Sequence, residues 1–310
     1  MSISERGRFQ NLEHSGGPNG LLEVLKWKWS SKKVPWQPVE NTHLPQLPLE
    51  IKEKECAATF INHASFLLQF QSLNILIDPV FSETLGPFSK LGIKRVRSPG
   101  LTFEQLPKID LVVISHNHYD HMDLPSIEKV WERDRPTFIV PLNNGKFLRK
   151  VGVKGIVELD WWESYGPVTL TPSHHWSSRT LFDRCKSLWG GFLFQEKGWK
   201  VLFAGDGGYA GDFKKIYEKF GPLDLSLISI GSYAPRWFMK EHHMCPEEAL
   251  QAHLDLHSKK SIAYHFGTFQ LADETYHEPQ ERLKAALQEH GLPPDTFLVP
   301  EHGQTFTFSL

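Results

Sequence analysis

Residues 111–123, Leu-Val-Val-Ile-Ser-His-Asn-His-Tyr-Asp-His-Met-Asp, constrain the fold of this chain more than any other stretch. Leu111 to Ile114 is a short aliphatic run of the kind that forms a buried strand. His116, His118, Asp120 and His121 follow within seven residues. A lone histidine after a strand is ordinarily a surface or core residue. Three of them with an aspartate read instead as metal ligands held on a rigid edge. Imidazole and carboxylate at this spacing suit zinc or a similar divalent ion.

The same arrangement recurs along the chain. Val168–Pro172 reads as a strand running into Ser173-His174-His175-Trp176. Gly191–Gln195 and Lys200–Ala204 form a hairpin-like pair about Gly198, and the second run ends at Gly205-Asp206-Gly207-Gly208. Glycines there let the backbone turn sharply beside the aspartate. Ser261–Tyr264 ends at His265. Four strands therefore finish in ligand-type residues: the 116–121 cluster, His175, Asp206 and His265.

The surrounding pattern is α/β. Cys56–Ile61, Ser65–Phe70 and Leu73–Pro79 read as a meander. His63, in its first turn, is either a group supporting the ligands or a plain turn histidine. Asp78 is placed to hydrogen-bond a ligand. Helices from Leu124, over Asn143–Lys150, from Pro246 to His257 and from Glu278 to His290 alternate with strands near 137–140, 155–159 and 224–230. That alternation argues layered α/β architecture. Residues 81–100 read as a loop near the site, whose Lys90, Lys94, Arg95 and Arg97 could meet an anionic head group.

A chain of 310 residues holds one large domain or two small ones. Residues 1–50, with Pro35, Pro38, Pro45 and Pro48, read as an irregular N-terminal arm, and 51–310 as the main domain. Within the arm, Trp27 and Trp29 stand among Lys26, Lys28, Lys32 and Lys33. Aromatic rings mixed with lysines suit a lipid headgroup boundary, and packing on the protein body is the plainer alternative. The net charge of −2, from 34 basic and 36 acidic residues, offers no basic excess for nucleic acid. Cys56, Cys185 and Cys245 are too far apart for a disulfide framework or a CxxC zinc pattern, which fits a reducing compartment and hence a cytoplasmic location. Met1–Arg6 lacks the apolar core of a secretory signal. No run approaches the roughly 18 apolar residues of a membrane span. A soluble or peripherally membrane-associated protein is expected.

The pattern His116-x-His118-x-Asp120-His121, with a later His, a later Asp after Gly and a last His, resembles the metallo-β-lactamase superfamily. Longer strings narrow the likeness. His175-Trp176 with Arg179-Thr180, Leu188-Trp189-Gly190, Phe203-Ala204-Gly205-Asp206 and Ile230 through Lys240 (Ile-Gly-Ser-Tyr-Ala-Pro-Arg-Trp-Phe-Met-Lys) resemble the N-acyl-phosphatidylethanolamine phospholipase D family. So do Leu159-Asp160-Trp161-Trp162-Glu163, His243 with Pro246-Glu247-Glu248-Ala249, and His265-Phe266-Gly267-Thr268-Phe269. The likeness covers residues 55 to 305. Asn117 and Gly207 stand where the family often has Thr, and neither is a ligand position.

The resemblance implies an αββα four-layer sandwich with a site for two zinc or similar divalent ions. His116, His118 and His175 would hold the first ion. Asp120, His121 and His265 would hold the second, with Asp206 bridging. His175 rather than His174 is implied because the family's ligand directly precedes Trp176. Tyr119 and His243 match positions near the phospholipid head group, and Asp120, Asp206 and His243 would carry the catalysis. The implied reaction is phospholipase D-type hydrolysis of N-acyl-phosphatidylethanolamine by attack of a metal-bridging hydroxide on phosphorus. It yields an N-acylethanolamine and phosphatidic acid. A groove for the lipid would draw on Tyr119, Met122, Trp176, Tyr233, Trp237, Phe238, Met239 and Phe266. Arg179 and Arg236 would serve phosphate or structural ion pairs. Peripheral membrane contact and a homodimer are also implied. The alternatives are a lactonase or another phosphodiester hydrolase on the same ions, and a non-catalytic metal-bound adaptor.

Overall fold

The computed structural model describes residues 7–13, 20–88, 91–180 and 182–310. Met1–Arg6 and Lys90, on which two of the expectations rest, lie outside them.

Side-chain alternation along the strands builds the layers. The first sheet begins with β1 (Glu55–Asn62), β2 (Ser65–Phe70) and β3 (Leu73–Ile77). Cys56, Ala58, Phe60, Phe66, Leu68, Ile75 and Ile77 turn into a core shared with the second sheet. Their neighbours Ile61, Leu67 and Leu76 turn the other way. A strand with both faces buried must alternate between two apolar environments.

The chain then makes a small hairpin, β4 (Thr84–Phe88) and β5 (Leu91–Lys94), where the sequence reads as loop. Gly92 explains the difference: a Cβ there would lie 1.8 Å from the Leu85 carbonyl oxygen, so only glycine permits the strands to approach. The basic residues beyond the hairpin do not face outward. Buried Arg95 donates to the Val80 and Ser82 carbonyls, and buried Arg97 donates to Asn41 and Glu301. Their work is structural.

β6 (Leu111–Val113), β7 (Thr137–Pro141) and β8 (Ile156–Leu159) extend the first sheet in parallel from β3. Helices α2 (Leu124–Asp134) and α3 (Gly145–Lys150) cover its outer face through Ile127, Val130, Trp131, Phe147 and Leu148. The second sheet holds β9 (Ser164–Tyr165), β10 (Val168–Thr171), β11 (Gly191–Glu196), β12 (Trp199–Phe203), β13 (Leu225–Ser229), β14 (Lys260–Tyr264) and β15 (Phe297–Leu298). Its strand order is β15-β14-β13-β12-β11-β10-β9. α4 (Asp212–Phe220), α6 (Pro246–Asp255) and α7 (Glu278–Glu289) contribute Phe213, Ile216, Leu250, Ala252, Leu283 and Leu287 to its apolar cover. Short α5 (Arg236–Met239) lies between α4 and α6 in sequence. The last strand, β16 (Thr305–Ser309), closes the first sheet against β1. The result is the expected αββα sandwich.

Register aligns the strand ends. Ile77 pairs with Phe66 and with Val113, so the β1–β2 turn, Asp78 and the 115–121 loop emerge at one edge. Thr171 pairs with Gly191, Phe203 with Phe192 and Leu227, and Tyr264 with Ser229. His175, Asp206 and His265 therefore leave the second sheet at one edge too.

The N-terminal arm contains a helix, α1 (Leu21–Ser30). Trp27 stacks on Phe238 at 4.8 Å between ring centroids and donates to Asp273, while Trp29 is 91 % exposed. One tryptophan packs on the body and the other does not.

His253 of α6 is buried against Ser261 of β14, with 2.8 Å from Nδ1 to Oγ. Burial pushes its imidazole down to about 4. Because the folded value lies below the unfolded one, the neutral ring's contribution is fully present above about pH 6.5 and is lost as pH falls towards 4. His253→Gln should remove on the order of 1–2 kcal/mol of the stability difference between pH 7 and pH 5. Paired urea denaturations at the two pH values check this.

Candidate metal centre

Backbone shape brings the donors together. Gly205, at φ 68°, turns the chain just before Asp206, and a Cβ there would meet the Gly190 carbonyl oxygen at 2.6 Å. Gly190 N–H in turn donates to the Ser115 carbonyl, tying the two sheets beside the cluster.

Two donor groups result. In one, His118 Nδ1 lies 2.8 Å from His116 Nε2 and 3.3 Å from His175 Nε2. In the other, Asp206 Oδ2 lies 3.0 Å from His121 Nε2 and 3.1 Å from His265 Nε2, with Asp120 Oδ2 at 3.6 and 3.5 Å from the same nitrogens. Asp206 also lies within 4.8 Å of donor nitrogens of His116 and His121 in one group and of His175 and His243 in another. His174 points elsewhere, its Nε2 3.8 Å from Glu241.

The far nitrogens of three imidazoles are held from behind. His116 Nδ1 meets Ser115 Oγ at 2.9 Å, His121 Nδ1 meets Asp78 Oδ2 at 2.7 Å, and His175 Nδ1 meets the His242 carbonyl at 3.0 Å. These contacts fix ring orientation and tautomer and turn Nε2 inward. Asp78 also accepts from the Ser115 amide at 2.7 Å and from its hydroxyl at 2.6 Å.

Electrostatics follow from seven donors in one buried volume. Burial opposes charge on His121 and His265, yet the Asp206 and Asp120 carboxylates overcome it, raising His121 well above the usual imidazole range and His265 to about 9. Burial would raise Asp206, and His121 and His265 hold it far below the usual range instead. Burial pushes His118 down to about 4 and His243 to about 3. Two carboxylates thus favour positive charge in the space between them and these rings.

The residues fit a divalent cation. Buried His121 Nε2, His265 Nε2 and Asp206 Oδ1 make no hydrogen bond among the described residues, although each sits beside donors of the cluster. Orphaned polar atoms of this kind are costly unless a bound group satisfies them. Imidazole nitrogens and carboxylate oxygens are the donor types of borderline divalent ions.

A groove of about 430 Å³ opens over the cluster. Tyr119, Trp176, Phe238 and Met239 line it as expected, with His118, Asp120 and His243 at its floor. Met122, Tyr233 and Phe266 are buried in the body and Trp237 is half-exposed, and none of these four lines the groove. Val24 and Trp27 of α1, with Leu85, Gly86, Ile93, His242 and Leu271, also line it, and the sequence placed none of them at a groove. The Tyr119 hydroxyl donates to the Arg179 carbonyl at 3.0 Å, and the Arg179 guanidinium lies 4.1 Å from the Tyr119 ring centre and donates to the Asn117 and Met122 carbonyls. Arg236 pairs in fork fashion with Glu248 and donates to the His243 carbonyl at 2.8 Å. Both arginines hold backbone rather than facing the groove. Asn11 accepts from the His175 amide and from Trp189 Nε1, a tie across 164 residues that no local pattern signals.

Comparison with known proteins agrees with this geometry. A family model described as a beta-lactamase superfamily domain matches residues 73–266. A Saccharomyces cerevisiae protein named mitochondrial N-acyl-phosphatidylethanolamine-hydrolyzing phospholipase D is 36 % identical, the match covering 94 % of this chain and 67 % of that protein. A Caenorhabditis elegans protein named N-acyl-phosphatidylethanolamine-hydrolyzing phospholipase D 1 is 34 % identical over 81 % of this chain and 76 % of its own length. Among solved structures, Igni18, a metallo hydrolase from Ignicoccus hospitalis, superposes with a TM-score of 0.62 at 22 % identity, covering 83 % of this chain and 99 % of that one. An isothiocyanate hydrolase from Delia radicum gut bacteria superposes at 0.65 with 22 % identity, covering 82 % and 100 %. These structures share the fold.

Proposed function

Since the chain belongs to the beta-lactamase superfamily and, within it, to the family of the N-acyl-phosphatidylethanolamine-hydrolyzing phospholipases D, we propose that it hydrolyses N-acyl-phosphatidylethanolamine to phosphatidic acid and an N-acylethanolamine. The observation that carries this reading is an apolar groove whose floor is the ligand cluster itself. A lipid tail and a metal-activated phosphodiester need those two features side by side.

His116, His118 and His175 would hold one ion and Asp120, His121 and His265 the other, with Asp206 shared. Zinc suits five imidazoles and two carboxylates. Two bound ions supply a water of lowered pKa and neutralise charge on the phosphoryl oxygens. The chain's own residues do the rest. Asp78 and Ser115 keep the His121 and His116 rings turned inward. Hydrolysis forms a bond from water oxygen to phosphorus and breaks the bond from phosphorus to the ethanolamine oxygen. The proton lost by the water ends on that oxygen. His243, kept neutral by burial, is suited to donate a hydrogen bond to a phosphoryl oxygen. Tyr119, whose hydroxyl is engaged with the Arg179 carbonyl, lines the groove.

Peripheral membrane contact is part of the proposal. Leu22, Leu25 and Trp29, at i, i+3 and i+7, form an outward stripe on α1 and are 78, 53 and 91 % exposed. Lys26 and Lys28 flank the stripe, while Val24 and Trp27 on the opposite side line the groove. An apolar stripe edged with lysines matches an anionic lipid surface. Among the described residues no helix is long and apolar enough to cross a membrane. Leu25→Ala with Trp29→Ala should weaken binding to anionic vesicles by about tenfold or more. It should leave metal content unchanged, as vesicle sedimentation and metal analysis would measure. A homodimer and a domain boundary near residue 50 complete the reading.

Turnover is tested on vesicles containing N-acyl-phosphatidylethanolamine, with lactones and soluble phosphodiesters in parallel. Phosphatidic acid and acylethanolamide in equal amounts support the proposal. Rapid lactone hydrolysis with no lipid turnover, by a protein carrying its metals, would sink it.

A further inference from the structure

We infer that His63 is a positioning residue for Asp120, donating its Nε2–H to Oδ2 so that the carboxylate keeps one orientation toward the metal centre. The inference rests on the metal-centre reading of Asp120 and not on the identity of the substrate.

The geometry singles out this histidine. Its Nε2 lies 3.0 Å from Asp120 Oδ2, nearer than His265 Nε2 at 3.5 Å or His121 Nε2 at 3.6 Å. It sits in the β1–β2 turn, 1 % exposed, and its backbone is tied to the loop that follows β14. The His265 amide donates to the His63 carbonyl at 2.7 Å, and the His63 amide donates to Thr268 Oγ1 at 2.8 Å. The ring lies 4.0 Å from that of His265 and edge-on to Phe269. One residue thus links the turn of the first sheet, the loop carrying Asp120 and the loop carrying His265.

Two features argue against a merely space-filling role. The backbone holds φ at 44°, a left-handed conformation that non-glycine residues rarely adopt and that persists only where the surroundings impose it. Nδ1 is buried with no hydrogen-bond partner among the described residues. A purely apolar side chain would fill the same space without leaving a buried nitrogen orphaned. The nitrogen that is satisfied is the one facing Asp120. A carboxylate is otherwise free to turn about its Cβ–Cγ bond, and the donated hydrogen bond removes that freedom.

Three variants test the inference. His63→Phe keeps a ring but has no N–H, and His63→Gln has an amide N–H that can reach Asp120. His63→Asn, too short to reach it, replaces the Phe variant if that protein does not fold. Zinc affinity is read by competition with a chromophoric chelator, and fold by near-ultraviolet circular dichroism. The expected result is that the Phe or Asn variant binds one of the two ions about 10- to 100-fold more weakly, while Gln stays within about threefold of the parent. Both ions bound at parental affinity without the N–H would overturn the inference. So would a folded Gln variant as defective as Phe, which would make the imidazole itself the requirement. A parent protein that binds no divalent ion would instead overturn the metal-centre reading, and neither result depends on the lipid.

Discussion

Asp206→Asn is expected to cost the protein one metal equivalent and to lower lipid turnover by at least about 10³-fold, the two losses appearing together. Asp206 Oδ2 stands 3.0 and 3.1 Å from the His121 and His265 nitrogens, and the residue belongs both to a donor group with His116 and to one with His175. Among the described residues it is the one carboxylate that shares donor groups with both halves of the cluster. The amide keeps the shape and removes the negative charge, so a bridging role fails while packing survives. Metal activation is worth several kcal/mol, and each 1.36 kcal/mol is a factor of ten in rate. Metal analysis alongside kcat decides the matter. Unchanged metal content and activity in the Asn variant would remove Asp206 from the bridging position.

The second large effect belongs to Asp78, which touches no substrate. Its carboxylate is fully buried and accepts from His121 Nδ1, from the Ser115 amide and from the Ser115 hydroxyl. Asp78→Ala would strand those groups and leave a hole, and should destabilise the fold by about 3–5 kcal/mol. Asp78→Asn separates stability from function. An amide nitrogen facing His121 Nδ1 would force the proton to the other ring nitrogen, the one directed at the metal. Stability should then fall much less, while metal affinity drops about 10- to 100-fold. Thermal denaturation of the metal-free protein and zinc competition measure the two effects separately. An Asn variant with parental metal affinity would show that the His121 tautomer does not matter.

What could be read from the sequence was local and periodic. The 111–121 run declares a strand and its donors within a dozen residues, and the later strand tips repeat the signal, so fold class and ligand types were legible. Features set by distant partners were not. Thr305–Ser309 alternates as a strand should, but its pairing with β1 spans the chain. The β4–β5 hairpin hides behind Gly86, Pro87 and Gly92, which ordinarily break strands, and close cross-strand approach requires the last of these. α4 carries Phe213 and Ile216 on one face, yet Gly207, Gly208, Gly211 and Gly221 around it read as loop. Arg95 and Arg97 looked like surface charges because nothing local reveals that Glu301 and the Val80 and Ser82 carbonyls receive them. The groove's α1 wall was invisible for the same reason, since Trp27 finds Asp273 only in three dimensions.

Hydrolysis of N-acyl-phosphatidylethanolamine vesicles in water enriched in ¹⁸O tests the central claim most directly. Attack of water oxygen on phosphorus places one heavy oxygen in the phosphate of phosphatidic acid and none in the acylethanolamide, which mass spectrometry of the two products would record. Label in a released fatty acid, or in the ethanolamide hydroxyl, would mean that another bond is cut and would contradict the phosphodiesterase reading of this site.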